Sequence, residues 1–138
     1  MTEPELKPLS EEEIIAWSRE QYQKATAFLA EKGVIAETVS MENSRYLAPV
    51  LAVWKIKSTE NKWFWVISGD LPTDFIAEEG AESVRDTLRA FSFRWQLKAE
   101  NILTDKSVEQ TQREFAAMLV GRADGLYDIF NKDELWQQ

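Results

Sequence analysis

Two aspartates lie four residues apart just after the most apolar run of the chain. Trp63 to Ile67 are five consecutive bulky apolar residues, and Asp70 and Asp74 follow them across a segment that contains Pro72. Two carboxylates at this spacing can bind Mg²⁺ or Ca²⁺ through their oxygens. They can also serve as an acid and a base if their surroundings push the two pKa values apart. Any metal site in this segment would use Asp70 and Asp74.

The same segment also has a purely structural interpretation. Asp70 can form an Asx-turn, Pro72 fixes φ, and Thr73 or Asp74 can cap a following turn. A calcium loop needs more oxygen ligands at fixed spacing, and only Glu78 and Glu79 lie nearby. Both interpretations are compatible with the sequence.

Cationic residues suggest a second kind of chemistry, the recognition of a small carboxylate or phosphate. An arginine can bind such an anion through two parallel hydrogen bonds. We expect Arg45, Tyr46, Asp70 and one arginine of a later helix to converge at the open end of a hairpin. The alternative is a salt bridge that pins the loop to that helix. The candidate ligand-binding residues are Arg45, Tyr46, Asp70, Asp74, Arg89 and Arg94.

The composition limits the remaining chemistries. The chain has no His and no Cys, which removes thiolate sites, Ser-His and Cys-His mechanisms and the usual general base at neutral pH. No catalytic residue and no cofactor is predicted, and the missing residue types argue against an enzyme. A net charge of −8 argues against binding to nucleic acid or an anionic membrane. No signal-peptide pattern or membrane span is seen, so a cytoplasmic location is expected.

The apolar spacing predicts the elements that position these residues. Ser10 and Glu13 form a capping box for a helix over about residues 11–32. Strands are predicted at about 50–58 and 62–68, and Thr59–Asn61 form the turn between them. A two-residue loop would pair Ile56 with Trp65, and a three-residue loop would pair Ile56 with Phe64. The pattern also allows an edge strand at about residues 39–47, and it indicates a polar connection at 73–80.

Two further helices are predicted at about residues 81–103 and 106–131, the second one capped by Thr104 or Asp105. The first of these two has a continuous apolar face and a smaller apolar patch away from it. A helix that is apolar on two sides lies between layers or meets a partner. The continuous face contains Val84, Leu88, Phe91, Trp95, Ala99 and Ile102, and the patch contains Ala90, Phe93 and Leu97.

Aromatic and glycine residues each allow two interpretations. Trp54, Trp63 and Trp65 are either core residues that the helices cover or a stacking surface for sugars or peptides. Gly121 and Gly125, one turn apart, indicate either close packing of two helices or a dimer contact. Trp136 either folds back onto the domain or reaches into a partner.

Three runs resemble an uncharacterised bacterial family known only as a domain of unknown function. They are SRYLAP at 44–49, WVISGDLPTD at 65–74 and FRWQLKAE at 93–100. The resemblance covers nearly the whole chain and implies a small cytosolic proteobacterial protein. It implies no activity, cofactor or catalytic residue.

Together these patterns predict an α+β domain over residues 10–138 after a flexible arm at 1–9. Its small antiparallel sheet is covered by three helices, mainly through the 84–102 face. The expected function is non-catalytic binding, to an unknown protein partner or to a second copy. The alternative is an anionic-ligand or divalent-metal site at the hairpin mouth, with or without enzymatic activity.

Overall fold

A computed structural model describes residues 8–137, so most of the predicted arm at 1–9 lies outside the described residues. One helix precedes a four-stranded sheet, and two helices follow it. This order confirms the predicted α+β class. The bounds are α1 Glu11–Glu31, β1 Ala36–Leu47, β2 Leu51–Ser58, β3 Trp63–Gly69, β4 Asp74–Ala77, α2 Val84–Leu103 and α3 Gln110–Phe130, with 3₁₀ turns at Glu78–Gly80 and Asp133–Leu135.

The sheet is an antiparallel meander in the order β1-β2-β3-β4. The hairpin register is the one that a three-residue loop gives, because Ile56 pairs with Phe64. Asn61 adopts a positive φ of 64° in that turn, a conformation that Asn tolerates better than most residues. The allowed edge strand is present as β1, longer than expected, and Pro49 lies in the turn that follows it.

The fourth strand is not predicted by the sequence pattern. The pattern indicates a polar connection at residues 73–80, yet Asp74–Ala77 pairs with β3 along its outer edge. The strand is only four residues long, too short for an alternating pattern to stand out. Its first residue is one of the two candidate aspartates, so the strand fixes the position of that carboxylate.

Helices cover both faces of the sheet, and the predicted 84–102 face of α2 covers one of them together with α3. On one face, Val53 and Trp65 pack with residues of α2 and α3. On the other, Trp54 and Val66 pack against Ala25 and Leu29 of α1. The sheet is therefore the middle of three layers, and β2 and β3 are apolar on both sides for this reason.

The helix starts differ from the predicted ones in two places. The capping box of Ser10 and Glu13 is formed, with both hydrogen bonds at 3.1 Å. However, α2 begins at Val84 rather than at 81, and α3 begins at Gln110 rather than at 106. Asp105 does not cap α3, because its carboxylate accepts hydrogen bonds from the backbone and hydroxyl of Ser107. These two bonds lower the pKa of Asp105.

Gly69, at the end of β3, differs from Gly121 and Gly125 of α3 in the space available for a side chain. Gly69 has a φ of +138°, and a Cβ there would overlap the backbone of Val50 and Leu51. Only glycine therefore ends β3 in this way. By contrast, a Cβ at Gly121 or Gly125 would meet nothing within 4 Å. Close helix packing at this pair is thus wrong within the described chain, whereas the dimer contact stays a prediction.

Candidate functional site

Asp74 and Arg94 are the two candidate residues that the structure brings together. Asp74 Oδ2 accepts hydrogen bonds from Arg94 Nε at 3.1 Å and from Trp95 Nε1 at 3.0 Å, and Oδ1 accepts one from the backbone N–H of Phe75 at 2.8 Å. The Asp74 side chain is only 18% exposed. Three donors therefore hold this carboxylate in place, and the predicted salt bridge between loop and helix is present here.

A cavity of about 440 Å³ opens beside this carboxylate. The end of α1, the 72–75 segment, α2 and the start of α3 form its walls, and we call it the cleft. Its volume lies within the range of small-molecule sites. Its lining residues combine cations with aromatic rings and are Phe28, Lys32, Pro72, Thr73, Asp74, Phe75, Arg94, Trp95, Lys98, Phe115 and Leu119.

Two lysines of the cleft lie over aromatic rings instead of pairing with acids. Lys32 Nζ is 5.4 Å from the ring centre of Phe28, and Lys98 Nζ is 5.5 Å from that of Phe115. Both distances allow a cation–π attraction. Among residues 8–137, neither lysine has a carboxylate at ion-pairing distance. Their ammonium groups therefore remain available to an anion in the cleft.

Asp70 and Arg89 do not take part in the cleft lining. Asp70 is exposed, with 81% of its side chain accessible, and its nearest cation is Arg122 at 3.9 Å. Arg89 pairs with Asp86 on its own helix at 2.8 Å. Asp70 and Asp74 thus differ in environment although they are neighbours in sequence.

Arg45 lies in a separate group near the C-terminal segment, which we call the Trp136 cluster. It consists of Arg45, Arg85, Phe130, Asp133 and Trp136. The guanidinium carbons of Arg45 and Arg85 are 5.0 and 5.9 Å from the ring centre of Trp136. Arg85 also donates to the Phe130 carbonyl at 2.9 Å and to Asp133 at 2.6 Å. Trp136 has therefore folded back onto the domain, one of its two predicted positions.

Tyr46 lies on the α1 side of the sheet. Its ring centre is 6.2 Å from that of Trp17 and 6.3 Å from that of Trp54. A smaller open cavity of about 260 Å³ lies nearby, and burial raises the pKa of Tyr22 in its wall. This cavity is mainly apolar and is lined by Ser18, Arg19, Tyr22, Gln23, Val39, Met41 and Trp54.

Two of the three hairpin tryptophans, Trp54 and Trp65, belong to the core. Trp54 and Trp65 are buried and their indole N–H groups donate to Ser68 Oγ and to the Ala81 carbonyl. Trp63 is half-buried and lies 5.6 Å from Lys55 Nζ. These rings therefore do not form an exposed stacking surface.

The charges of the cleft suit an anion better than a metal ion. Within residues 8–137, no group of three or more acidic, His or Cys side chains is placed to hold a metal. Asp74 already accepts three hydrogen bonds, and three cations line the cleft together with it. Nor does any helix in this range have the length and apolar character needed to cross a membrane.

The sequence interpretation missed Lys32 as a site residue. The structure also places Lys98 in the cleft beside Arg94. Lys98 carried a signal, because it follows Arg94 by four residues and lies on the same strip of α2. Lys32 carried none. It caps the end of α1, and only the packing of α1 across the sheet brings it to the cleft.

Comparison with other proteins places the chain in a family without a described activity. Neither the curated proteins nor the solved structures give a significant match. The family Domain of unknown function (DUF4826) matches residues 11–136. This match spans every helix and strand from α1 to α3, the cleft and the Trp136 cluster. The chain therefore belongs to the DUF4826 family.

Proposed function

We propose that the protein is a non-catalytic binding protein for a small organic anion that occupies the cleft. One observation carries the proposal. Two lysines without a carboxylate partner in the described chain, Lys32 and Lys98, line the same cavity as Arg94. Lys32 is the C-cap of α1 and Lys98 belongs to α2, so the fold gathers these cations at one place.

The local charge supports an anion. Three cations and one carboxylate line the cleft, which gives a net charge of +3 − 1 = +2. The whole chain has a net charge of −8. A positive concavity on an acidic protein attracts anions locally and holds them in a place where field lines are focused.

The walls between the cations indicate that the ligand has an apolar body. Phe28, Phe75, Phe115 and Leu119 contribute apolar surface to the cleft. The ring centres of Phe28 and Phe75 are 6.0 Å apart in an edge-to-face arrangement. Sites of this kind bind the apolar part of a ligand by burial and orient it through a few polar groups. An aromatic carboxylate or phosphate monoester meets both requirements.

The hydrogen bonds of Asp74, the acidic residue that lines the cleft, favour binding without catalysis. Asp74 accepts hydrogen bonds from Arg94, Trp95 and the backbone of Phe75, so its two oxygens are already engaged by the protein. Histidine and cysteine are absent from the sequence. What the cleft provides is charge and shape, which suffice for binding.

The proposal is tested by calorimetric titration of the full chain with phenyl phosphate, benzoate, inorganic phosphate and the neutral ester methyl benzoate. We expect phenyl phosphate to bind most tightly, benzoate and phosphate more weakly, and methyl benzoate not measurably. The double variant Lys32→Met/Lys98→Met removes the two ammonium groups and is expected to abolish binding. Lys24→Met/Lys106→Met is the matched control, since neither residue lines the cleft.

Two outcomes would contradict the proposal. One is the absence of binding by every anion at millimolar concentration, the weak end of small-ligand affinities at ~10⁻³ M. The other is equal binding by the wild type and the cleft double variant, which would place the anion elsewhere. Amide chemical shifts of residues 73–75 distinguish the cleft from other surfaces in either case.

A further inference from the structure

An exposed stripe runs along α2 on the side away from the sheet. Arg89, Phe93, Leu97 and Glu100 follow one another at spacings of 4, 4 and 3, and we call them the outer stripe. This spacing places all four side chains on one face of a helix. Phe93 is 69% exposed and Leu97 is 48% exposed. The stripe is therefore an apolar centre with a cation at one end and an anion at the other.

The apolar centre of the outer stripe is not needed for the packing of α2 within the domain, whereas Arg89 pairs with Asp86 and lies 5.9 Å from the ring centre of Phe130. The opposite face of the helix, with Leu88, Phe91 and Trp95, is buried in the core. Phe93 and Leu97 lie outside the core that α2 forms with α3 and the sheet. Exposing a phenyl ring and a leucine side by side is unfavourable, and a partner that covers them gains burial energy.

We propose that a second copy of this chain covers the outer stripe, with the two α2 helices packed antiparallel about a two-fold axis. An axis that passes between Phe93 and Leu97 places Phe93 of one copy opposite Leu97 of the other. The same axis places Ala90 opposite Glu100, so Arg89 is one residue away from the Glu100 of the second copy. A two-fold interface of this kind is self-complementary.

The charges select the antiparallel arrangement over a parallel one. In a parallel pair, Arg89 would face Arg89 and Glu100 would face Glu100, and like charges repel. In the antiparallel pair each cation meets an anion. An anionic membrane is disfavoured as the occupant because the chain has a net charge of −8. Arg89 already pairs with Asp86 of its own helix at 2.8 Å, and its remaining N–H donors can bind the Glu100 of the second copy as well.

The size of the stripe predicts a weak, concentration-dependent dimer. Four side chains on a single helix bury less than the roughly 1,200 Å² of a small stable interface. We therefore expect reversible self-association that strengthens with protein concentration. Sedimentation velocity of the full chain over a wide concentration range measures it directly.

Charge reversal provides the sharpest test. Arg89→Glu and Glu100→Arg are each expected to weaken the dimer at least tenfold, because each creates two like-charge contacts per dimer. An equimolar mixture of the two variants restores an opposite-charge pair at each contact and is expected to associate more strongly than either variant alone. A general loss of stability cannot produce this recovery on mixing.

Removal of the apolar centre provides the second test. Phe93→Ser is expected to shift the protein to monomer at all concentrations while the melting temperature of the monomer stays unchanged, since the ring lies outside the core. Val120→Ser on α3 is the matched control, a partly exposed apolar residue outside the stripe. A wild type that stays monomeric at the highest attainable concentration would overturn the proposal, as would a dimer that Phe93→Ser leaves intact.

Discussion

The cleft and the Trp136 cluster are built from the same kinds of side chain and differ in how far their cations are already bonded to the protein. In the cluster, the guanidinium carbons of Arg45 and Arg85 are 5.0 and 5.9 Å from the Trp136 ring centre, beside an open cavity of about 270 Å³, and Arg85 also donates to Asp133 and to a carbonyl. In the cleft, the lysines lie over rings at the edge of an open cavity. A cation whose donors are engaged by the protein, such as Arg85, stabilises the fold. Lys32 and Lys98 make no ion pair among residues 8–137, so their donors are available to a ligand.

The same distinction, between side chains that the protein already bonds and those that it leaves free, predicts that Asp74 supports the fold whereas Asp70 does not. Asp74→Ala removes the acceptor of Trp95 and Arg94 and is expected to lower the free energy of unfolding by about 1–3 kcal/mol, because the buried indole N–H of Trp95 loses its partner. Asp70→Ala is the matched control, with a change within about 0.5 kcal/mol for an exposed residue. Urea denaturation measures both values, and equal effects would remove the distinction between the two aspartates.

The second prediction concerns the ring at the centre of the Trp136 cluster. Trp136→Ala is expected to lower the free energy of unfolding by about 1–3 kcal/mol, because the half-buried ring loses its packing and its contacts with two arginines. Its indole N–H also donates to the Ile129 carbonyl at 3.1 Å. Anion binding in the cleft should not change. Thermal unfolding and titration of the same variant would separate the two regions, and a loss of binding would show that they are coupled.

A smaller effect is expected from Arg45, which contacts the face of Trp136 from the strand side. Arg45→Ala should lower the free energy of unfolding by about 0.5–1 kcal/mol, the value of an exposed cation–π contact. In the Trp136→Ala background the same substitution should cost almost nothing. A double-mutant cycle from chemical denaturation measures this coupling, and additive effects would show that the ring and the guanidinium do not interact.

The smallest change in stability is expected for the cleft lysines. Lys32→Met and Lys98→Met keep an apolar stem over Phe28 and Phe115, so the free energy of unfolding should change by less than about 0.5 kcal/mol. Differential scanning calorimetry tests this directly. A large loss of stability in either variant would mean that the lysine serves the fold, and the contrast between cleft and cluster would no longer hold.

Helices and strands were predicted from the sequence where the residues of one element form a recognisable pattern by themselves. The capping box of α1 and the apolar face of α2 are local patterns, and both are confirmed. The hairpin register stayed open because both faces of β3 are apolar, so a shift by one residue changes no burial. The short strand Asp74–Ala77 was missed because its pairing depends on β3 and on no pattern of its own.

The candidate site was predicted in part for a similar reason. The Asp74–Arg94 pair joins the first residue of β4, which the sequence pattern assigned to a polar connection, to a helix that the pattern predicted. Arg45 and Tyr46 were expected to converge with Asp70 at the open end of the hairpin. They are adjacent residues of β1, so their side chains point to opposite faces of the sheet. Lys32 could not be predicted, since its position in the cleft results from the packing of layers.

The hydrogen bond between Trp95 and Asp74 gives the cleft an optical reporter. Indole emission depends on the charge and polarity around the ring, and Trp95 is both buried in the core and part of the cleft wall. Of the six tryptophans in the sequence, it is the one that lines this cavity. An anion attracted by Arg94 alters the field at this indole, so the intrinsic fluorescence of the unlabelled protein can be used to screen for its ligand.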